Sequence, residues 1–248
     1  HQQAGGLRFG EDAGDAFGGQ ALRLSYDGQT LAVGAKYNDG PDGTLSDAGH
    51  VRVYTRNSTA WTQRGDDLDA PGGAAAVSDE YGHSIGMSAD GTVVVASAYG
   101  ASYVTASKWN GASWEPMGQQ IGSTVGFALG SHTNVDLSAD GSVLAVGSIG
   151  SGKVQIFEYN SASDAWDSIY LDGPECCWFG FSVALSADGT TWAAATRSQP
   201  SSTITRVYKR SGGAWVERFF LGSHNPAVPA HAGTHKGLAL SADGTILA

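Results

Sequence analysis

The sequence predicts an all-β protein, a β-propeller of four-stranded antiparallel blades, and three observations carry that expectation. The pentapeptide Leu-Ser-x-Asp-Gly recurs at Leu24–Gly28, Leu137–Gly141, Leu185–Gly189 and Leu240–Gly244, with Met-Ser-Ala-Asp-Gly at Met87–Gly91. Its aspartates, Asp27, Asp90, Asp140, Asp188 and Asp243, stand 63, 50, 48 and 55 residues apart, and self-similarity at such a period marks stacked modules. Composition agrees: glycine is abundant (36 of 248 residues) and Asp, Glu, Lys and Arg together make only 15%, which suits short strands joined by tight turns.

Each module divides into four strands. Strand A precedes the Asp-Gly turn, as at Ala21–Ser25, Ser84–Ser88, Asn134–Ser138, Ser182–Ser186 and Gly237–Ser241. Asp-Gly between two apolar runs is a strong hairpin signal, because glycine accepts the positive φ of a tight turn. Strand B is the apolar run that follows, from Leu31, Val93, Leu144, Trp192 and Ile246. Its near-continuous apolarity predicts burial on both faces. Strand C alternates with period two, from His50, Tyr103, Lys153 and Ile204, and so predicts one more exposed face. Strand D carries a tryptophan near its start: Trp61, Trp114, Trp166 and Trp215. A residue repeated in one column of every module reads as packing between sheets, not as a sugar-stacking platform.

The expected organisation is a single propeller domain over 1–248, with blades at about 17–80, 81–126, 127–178 and 179–230 and a partial one at 231–248. Residues 1–16 read as the end of a preceding blade. The last module stops inside strand B, which predicts that these residues belong to a longer chain with more blades. The net charge of −10 and pI near 4.9 disfavour nucleic acid and anionic lipid as partners. No apolar window approaches the roughly 20 residues a spanning helix needs.

Several residues are candidates for chemistry. The acidic loop Asn38–Gly49 offers Asp39, Asp42 and Asp47 as hard oxygen ligands for Ca²⁺, though its spacing is not an EF-hand's and the same residues are ordinary loop formers. His83, His132 and His235 fall near the head of strand A, and with Asp136 they form a candidate ligand or metal set at a channel mouth. His231 and His235 lie four apart, but Gly233 argues against the helix a zincin motif requires. Asn57-Ser58-Thr59 is an N-glycosylation sequon in a C–D turn. No phosphate-cradling glycine loop or paired glutamate motif is present.

Phe17-Gly18, Tyr81-Gly82 and Phe179-Gly180 at the head of strand A, with Ala-Val-Gly-Ala at Ala32–Ala35, resemble FG-GAP-type propeller repeats. More closely, the modules are similar to those of secreted repeat proteins whose blades read FGxSVxLSxDGxxxAVGA followed by GxVxVY and a tryptophan. The resemblance covers nearly the whole chain. It implies an extracellular or cell-surface, non-catalytic propeller used in adhesion or surface assembly, with protein partners or self-association. It also includes members that bind Ca²⁺ in the loop after strand B; the second to fourth modules lack the acidic loop. In that extracellular setting the adjacent Cys176 and Cys177, the only cysteines, form a vicinal disulfide; reduced thiols are the other reading. The first expectation for function is therefore a structural, adhesive protein and not an enzyme. The second is a propeller that binds glycans or small ligands at its channel mouth, and a hydrolase or lyase ranks behind both.

Overall fold

The computed structural model describes residues 14–19, 21–40, 43–71, 77–122, 129, 133–173, 178–196, 203–223 and 238–248. Among these, every regular element is a strand and no helix is long and apolar enough to cross a membrane. The first sheet contains β1 (Leu22–Leu24), β2 (Thr30–Ala35), β3 (His50–Asn57), β4 (Ala60–Gln63) and the short β5 (Leu68–Asp69). The second contains β6 (Tyr81–Met87), β7 (Val93–Ala98), β8 (Tyr103–Trp109) and β9 (Trp114–Pro116). The third contains β10 (Thr133–Leu137), β11 (Val143–Ser148), β12 (Lys153–Asn160) and β13 (Ala165–Asp172). The fourth contains β14 (Phe179–Leu185), β15 (Thr191–Thr196), β16 (Thr203–Ser211) and β17 (Ala214–Ser223). Each sheet runs in sequence order with antiparallel neighbours, and β5 pairs with β3 beside β4. These are the blades of a β-propeller.

The Ser-x-Asp-Gly turn explains why the pentapeptide recurs. In the third sheet the Gly141 N–H donates to the Ser138 carbonyl at 3.0 Å, and Gly141 has φ of 75°. The Ser138 hydroxyl donates to Asp140 Oδ1 at 2.7 Å and accepts the Val143 N–H at 2.8 Å. Asp140 Oδ1 also accepts the Ser142 N–H at 3.0 Å. The same bonds occur around Asp27, Asp90, Asp188 and Asp243. These hydrogen bonds outweigh burial where burial opposes them, and hold all five carboxyls below their ordinary value of 3.8. The turn also links sheets: the Tyr26 N–H donates to the Ala89 carbonyl at 2.9 Å, and the Ala139 N–H to Ala187 at 2.8 Å. The Ala187 N–H donates to Ala242 at 2.9 Å, which joins the hairpin at Leu238–Ala248 to the fourth sheet.

The aromatic-glycine pair proves to be part of strand A. Tyr81 and Phe179 are buried, and each following glycine has φ near 85° inside a bulge that shifts the register before Ser84 and Ser182. Gly82 lies against Gly34 of the first sheet, and Gly180 against Gly147 of the third. A β-carbon on Gly34 or Gly147 would overlap the neighbouring carbonyl oxygen. Glycine faces glycine so that consecutive blades approach backbone to backbone. The four tryptophans keep one register position: Trp61 pairs with Arg56, Trp114 with Trp109, Trp166 with Tyr159 and Trp215 with Arg210.

By contact density the chain forms two compact units, His1–Ile121 and Gly122–Ala248. In the first, Val51, Val53, Ile85 and Val94 pack with Tyr81 and Tyr103 between the first two sheets. In the second, Val154, Ile156, Phe179, Trp192 and Tyr208 fill the space between the last two.

Candidate functional site

The chain segment Gly65–Pro71 reads GDDLDAP, and proline and glycine at its ends leave only the two residues of β5 to pair with β3. That pairing sets His50 opposite Asp69, and the period of two puts Arg52 and Asp67 on the same face. The Arg52 guanidinium grips Asp67 side-on, Nε to Oδ1 at 2.9 Å and the terminal nitrogen to Oδ2 at 2.7 Å. Gln63 Nε2 donates to Asp67 Oδ1 at 2.7 Å, and His50 Nδ1 lies 3.7 Å from Oδ2. Partial burial pushes the Asp67 carboxyl up, but the Arg52 bonds and the charges of His50 and Arg52 outweigh it and hold it below the ordinary range.

Beside this quartet a cleft of about 310 Å³ opens between the first two sheets. The first sheet and its approach contribute Asp67, Leu68 and Asp69 to its lining; the second contributes Tyr81, Thr105, Ser107, Trp114 and Glu115, and the segment after β9 adds Gln119 and Gln120. The Tyr81 hydroxyl shares a 2.6 Å hydrogen bond with Thr105. Burial, with a smaller contribution from the charge of Asp69, pushes its pKa up to about 12, so it stays protonated. Trp114 is anchored through an Nε1–H bond to the Arg64 carbonyl at 2.7 Å, while the Arg64 guanidinium lies 4.8 Å from the Trp109 ring centre. The lining thus combines carboxylates, primary amides and hydroxyls with one indole, a set that can hydrogen-bond a polyol and cover an apolar ring face.

Among the described residues, His50, Asp67 and Asp69 bring ligand atoms within 4.8 Å of one another, the spacing of a metal site. The donor set does not fit one. Arg52 already chelates Asp67 through both carboxylate oxygens, and a divalent cation there would meet the guanidinium charge at close range. The group is read as a charge network that ties β5 to β3 and shapes the cleft wall.

Two other polar clusters have structural geometry. Between the third and fourth sheets, Tyr208 donates a short hydrogen bond to Asp172, accepts one from Arg206 at 3.1 Å and lies 2.9 Å from Glu217. Its ring stacks on Trp192 of the same sheet with centroids 4.4 Å apart, and the Tyr170 ring of the third sheet lies 5.9 Å from both, so the cluster seals an aromatic seam between blades. In the first unit, Lys36 Nζ meets Glu80 at 3.2 Å and lies 4.2 Å from the Tyr37 ring centre.

Of the residues singled out from sequence, Asp39 Oδ1 accepts the backbone N–H of Asp47 at 3.0 Å, so these two close their own loop; Asp42 lies outside the described residues. His83 is buried with its ring 5.0 Å from that of Tyr99. Asp136 Oδ2 accepts the Leu185 N–H at 2.8 Å, which makes it a tie between the third and fourth sheets. His132, His235, Cys176 and Cys177 lie outside the described residues. Asn57 is exposed at the end of β3, in the hairpin to β4. The cleft itself was not foreseen: its residues come from five separate strands and connections, and only the Asp-x-Asp spacing of Asp67 and Asp69 hints at a shared edge.

No family model matches the sequence, and no curated protein matches it. Solved structures do. The periplasmic gluconolactonase of Pseudomonas aeruginosa aligns with a TM-score of 0.55 at 20% identity, over 92% of this chain and 63% of that one. A Bacteroides fragilis protein described provisionally as a 6-phosphogluconolactonase aligns with a TM-score of 0.51 at 16% identity, over 80% of this chain and 52% of that one. The β-propeller domain of a Myceliophteria thermophila protein gives 0.52 at 13% identity, over 82% and 71%. The chain therefore spans between half and two thirds of the two lactonase-named structures. At these identities the likeness establishes the propeller fold; FG-GAP membership is not established by it.

The comparison corrects the expectation of a non-catalytic, adhesive protein that is not an enzyme. That expectation was carried by the resemblance and by reading no catalytic motif in the chain; Gly82-His83-Ser84-Ile85-Gly86 does spell GxSxG, but Ser84 is buried within β6 and not on the strand-to-helix turn of a nucleophile elbow. The same fold serves a protein named a gluconolactonase, and on this architecture a site is assembled from different blades, as the cleft lined from Asp67 to Gln120 illustrates. A missing linear motif is then no argument against catalysis.

Proposed function

We propose that this propeller is a hydrolase of sugar-derived lactones, working outside the cytosol, with the cleft between its first two blades as the substrate site. The observation that carries the reading is the lining of that cleft by acids, amides, hydroxyls and Trp114 in a volume of about 310 Å³, room for one sugar ring. The gluconolactonase-named neighbour lends it support at the level of fold.

In this reading Trp114 covers the apolar face of the ring, and Gln119, Gln120 and Ser107 bond its hydroxyls. Asp69, exposed on β5, is the general base. Asp67 is unsuited to that role, because Arg52 and Gln63 occupy its oxygens, and its part is to position Asp69 through β5. Asp69 takes a proton from water as the water oxygen bonds to the lactone carbonyl carbon. The ring C–O bond then breaks, and the proton passes to the departing ring oxygen, which leaves an open-chain hydroxy acid.

Glucono-δ-lactone hydrolysis followed at constant pH by base uptake tests this. Saturable turnover above the spontaneous rate is expected, with kcat for Asp69→Asn lower by about 100-fold, the usual worth of a general base. A rate equal to the spontaneous one at every enzyme concentration would retire the proposal.

A further inference from the structure

The same cleft carries information about substrate charge, and the inference rests on the lactonase reading. Its lining includes three carboxylates, from Asp67, Asp69 and Glu115, and no lysine or arginine. Of the guanidiniums around them, Arg52 is consumed by Asp67, and Arg64 is held against the Trp109 and Trp114 rings, 4.8 and 5.7 Å from their centres, where it donates to the Gly91 carbonyl at 3.1 Å. Glu115 accepts a 2.6 Å hydrogen bond from the Asn110 side chain, which orients its carboxylate without neutralising it. Amides and hydroxyls are the remaining polar groups, and they bond neutral sugar hydroxyls readily.

We infer that the site selects uncharged lactones and excludes phosphorylated ones. A phosphate dianion bound there would face the carboxylates of Asp69 and Glu115, Asp67 being already paired with Arg52, and no lysine or arginine of the lining offers the bidentate contact that phosphate sites use. The same field serves the reaction's outcome. The substrate enters neutral, and hydrolysis converts it to a carboxylate that the acidic walls repel, so ring opening itself turns a ligand into a poor one. The chain's overall charge of −10 acts in the same direction at longer range.

The test compares glucono-δ-lactone with 6-phosphoglucono-δ-lactone, the latter generated in the cuvette, for the wild-type chain and for Glu115→Lys. The expected kcat/KM is lower for the phosphorylated compound by about tenfold, since the dianion meets two like-charged carboxylates even after screening. In Glu115→Lys that ratio should narrow severalfold while a matching circular-dichroism melt shows the fold retained. Equal turnover of both lactones would overturn charge selection and leave the lactonase reading standing. If neither compound is turned over, calorimetry with the non-hydrolysable polyols sorbitol and sorbitol 6-phosphate decides. Binding of sorbitol alone keeps charge selection and removes hydrolysis, whereas binding of neither, or of both alike, removes the inference.

Discussion

Arg52 sits at a register position filled by Thr105 in the second sheet, Gln155 in the third and another arginine, Arg206, in the fourth, each three residues before the strand C position that pairs with the start of strand B. In the first sheet its partner is Asp67, and the pair is mostly buried, with side chains 9% and 22% exposed. Truncating one partner leaves the other's charge poorly solvated, so Arg52→Met is expected to destabilise the fold by about 2 kcal/mol at neutral pH, at the lower end for buried pairs because Asp67 retains some water. The pH dependence has a definite sign. The folded Asp67 carboxyl lies below its ordinary value of 3.8, so the stability it contributes is complete above that value and is lost as pH falls through the folded pKa. Urea midpoints of wild type and Arg52→Met should therefore differ at pH 7 and converge near pH 2; an unchanged gap at both pH values would contradict the pairing. The sequence displays Asp67 and Asp69 openly, yet their meaning depends on β5 returning to pair with β3, and no local pattern in GDDLDAP specifies that partner. The candidate ligands that were legible, Asp39, Asp47 and Asp136, are polar residues engaged by backbone N–H groups, a use that residue type alone does not distinguish from ligation.

Strands and their turns were the legible part, because their signals are local. The Asp-Gly turn, the apolar strand B and the alternating strand C each follow from a few consecutive residues, and the tryptophans keep their predicted column. What the repeat alone did not convey was why glycine follows the aromatic residue in strand A. The reason lies in the next blade: Gly180 at φ of 85° turns its carbonyl toward Gly147, where a β-carbon would overlap it and come within 2.7 Å of Val183 Cγ1. Backbone cannot yield as a side-chain tip does. Gly147→Ala is thus expected to destabilise the chain by about 3 kcal/mol, at the upper end for overpacking. Gly122→Ala, where nothing lies within 4 Å of the new carbon, should change stability by less than about 0.5 kcal/mol. Hydrogen exchange would locate the damage, with protection lost first in β11 and β14; uniform loss, or none, would argue that the blades do not meet through this glycine pair.

At the scale of the molecule, the repeat multiplies one small electrostatic device. Asp27, Asp90, Asp140, Asp188 and Asp243 each accept bonds from a serine hydroxyl and a backbone N–H, and each is held below the ordinary carboxyl value, Asp243 at about 2. Asp67 joins them for a different reason. Among the described aspartates with a resolved shift, only Asp79 runs the other way: burial raises it against its bond from Tyr103. A depressed carboxyl binds fewer protons folded than unfolded, so stability declines as pH drops through the folded pKa; a raised one has the opposite sign. Six against one decides the balance. The melting temperature should change little from pH 7 to pH 5 and then fall steeply below about pH 4, where the unfolded chain's aspartates take up protons that the folded turns refuse. Low net charge near the pI of 4.9 minimises self-repulsion in the same region, which separates the two effects: repulsion alone would leave the protein steadiest near pH 5 and weaken it symmetrically on either side. Calorimetric melts at pH 7, 5, 3 and 2 in constant salt distinguish them. Replacing Asp140 and Asp188 together by Asn keeps an oxygen acceptor in each turn but removes the titration, so the double variant should begin less stable at pH 7 and lose less below pH 4. A double variant whose acid limb matched the wild type would mean that the repeated turns do not set the acid stability of the fold.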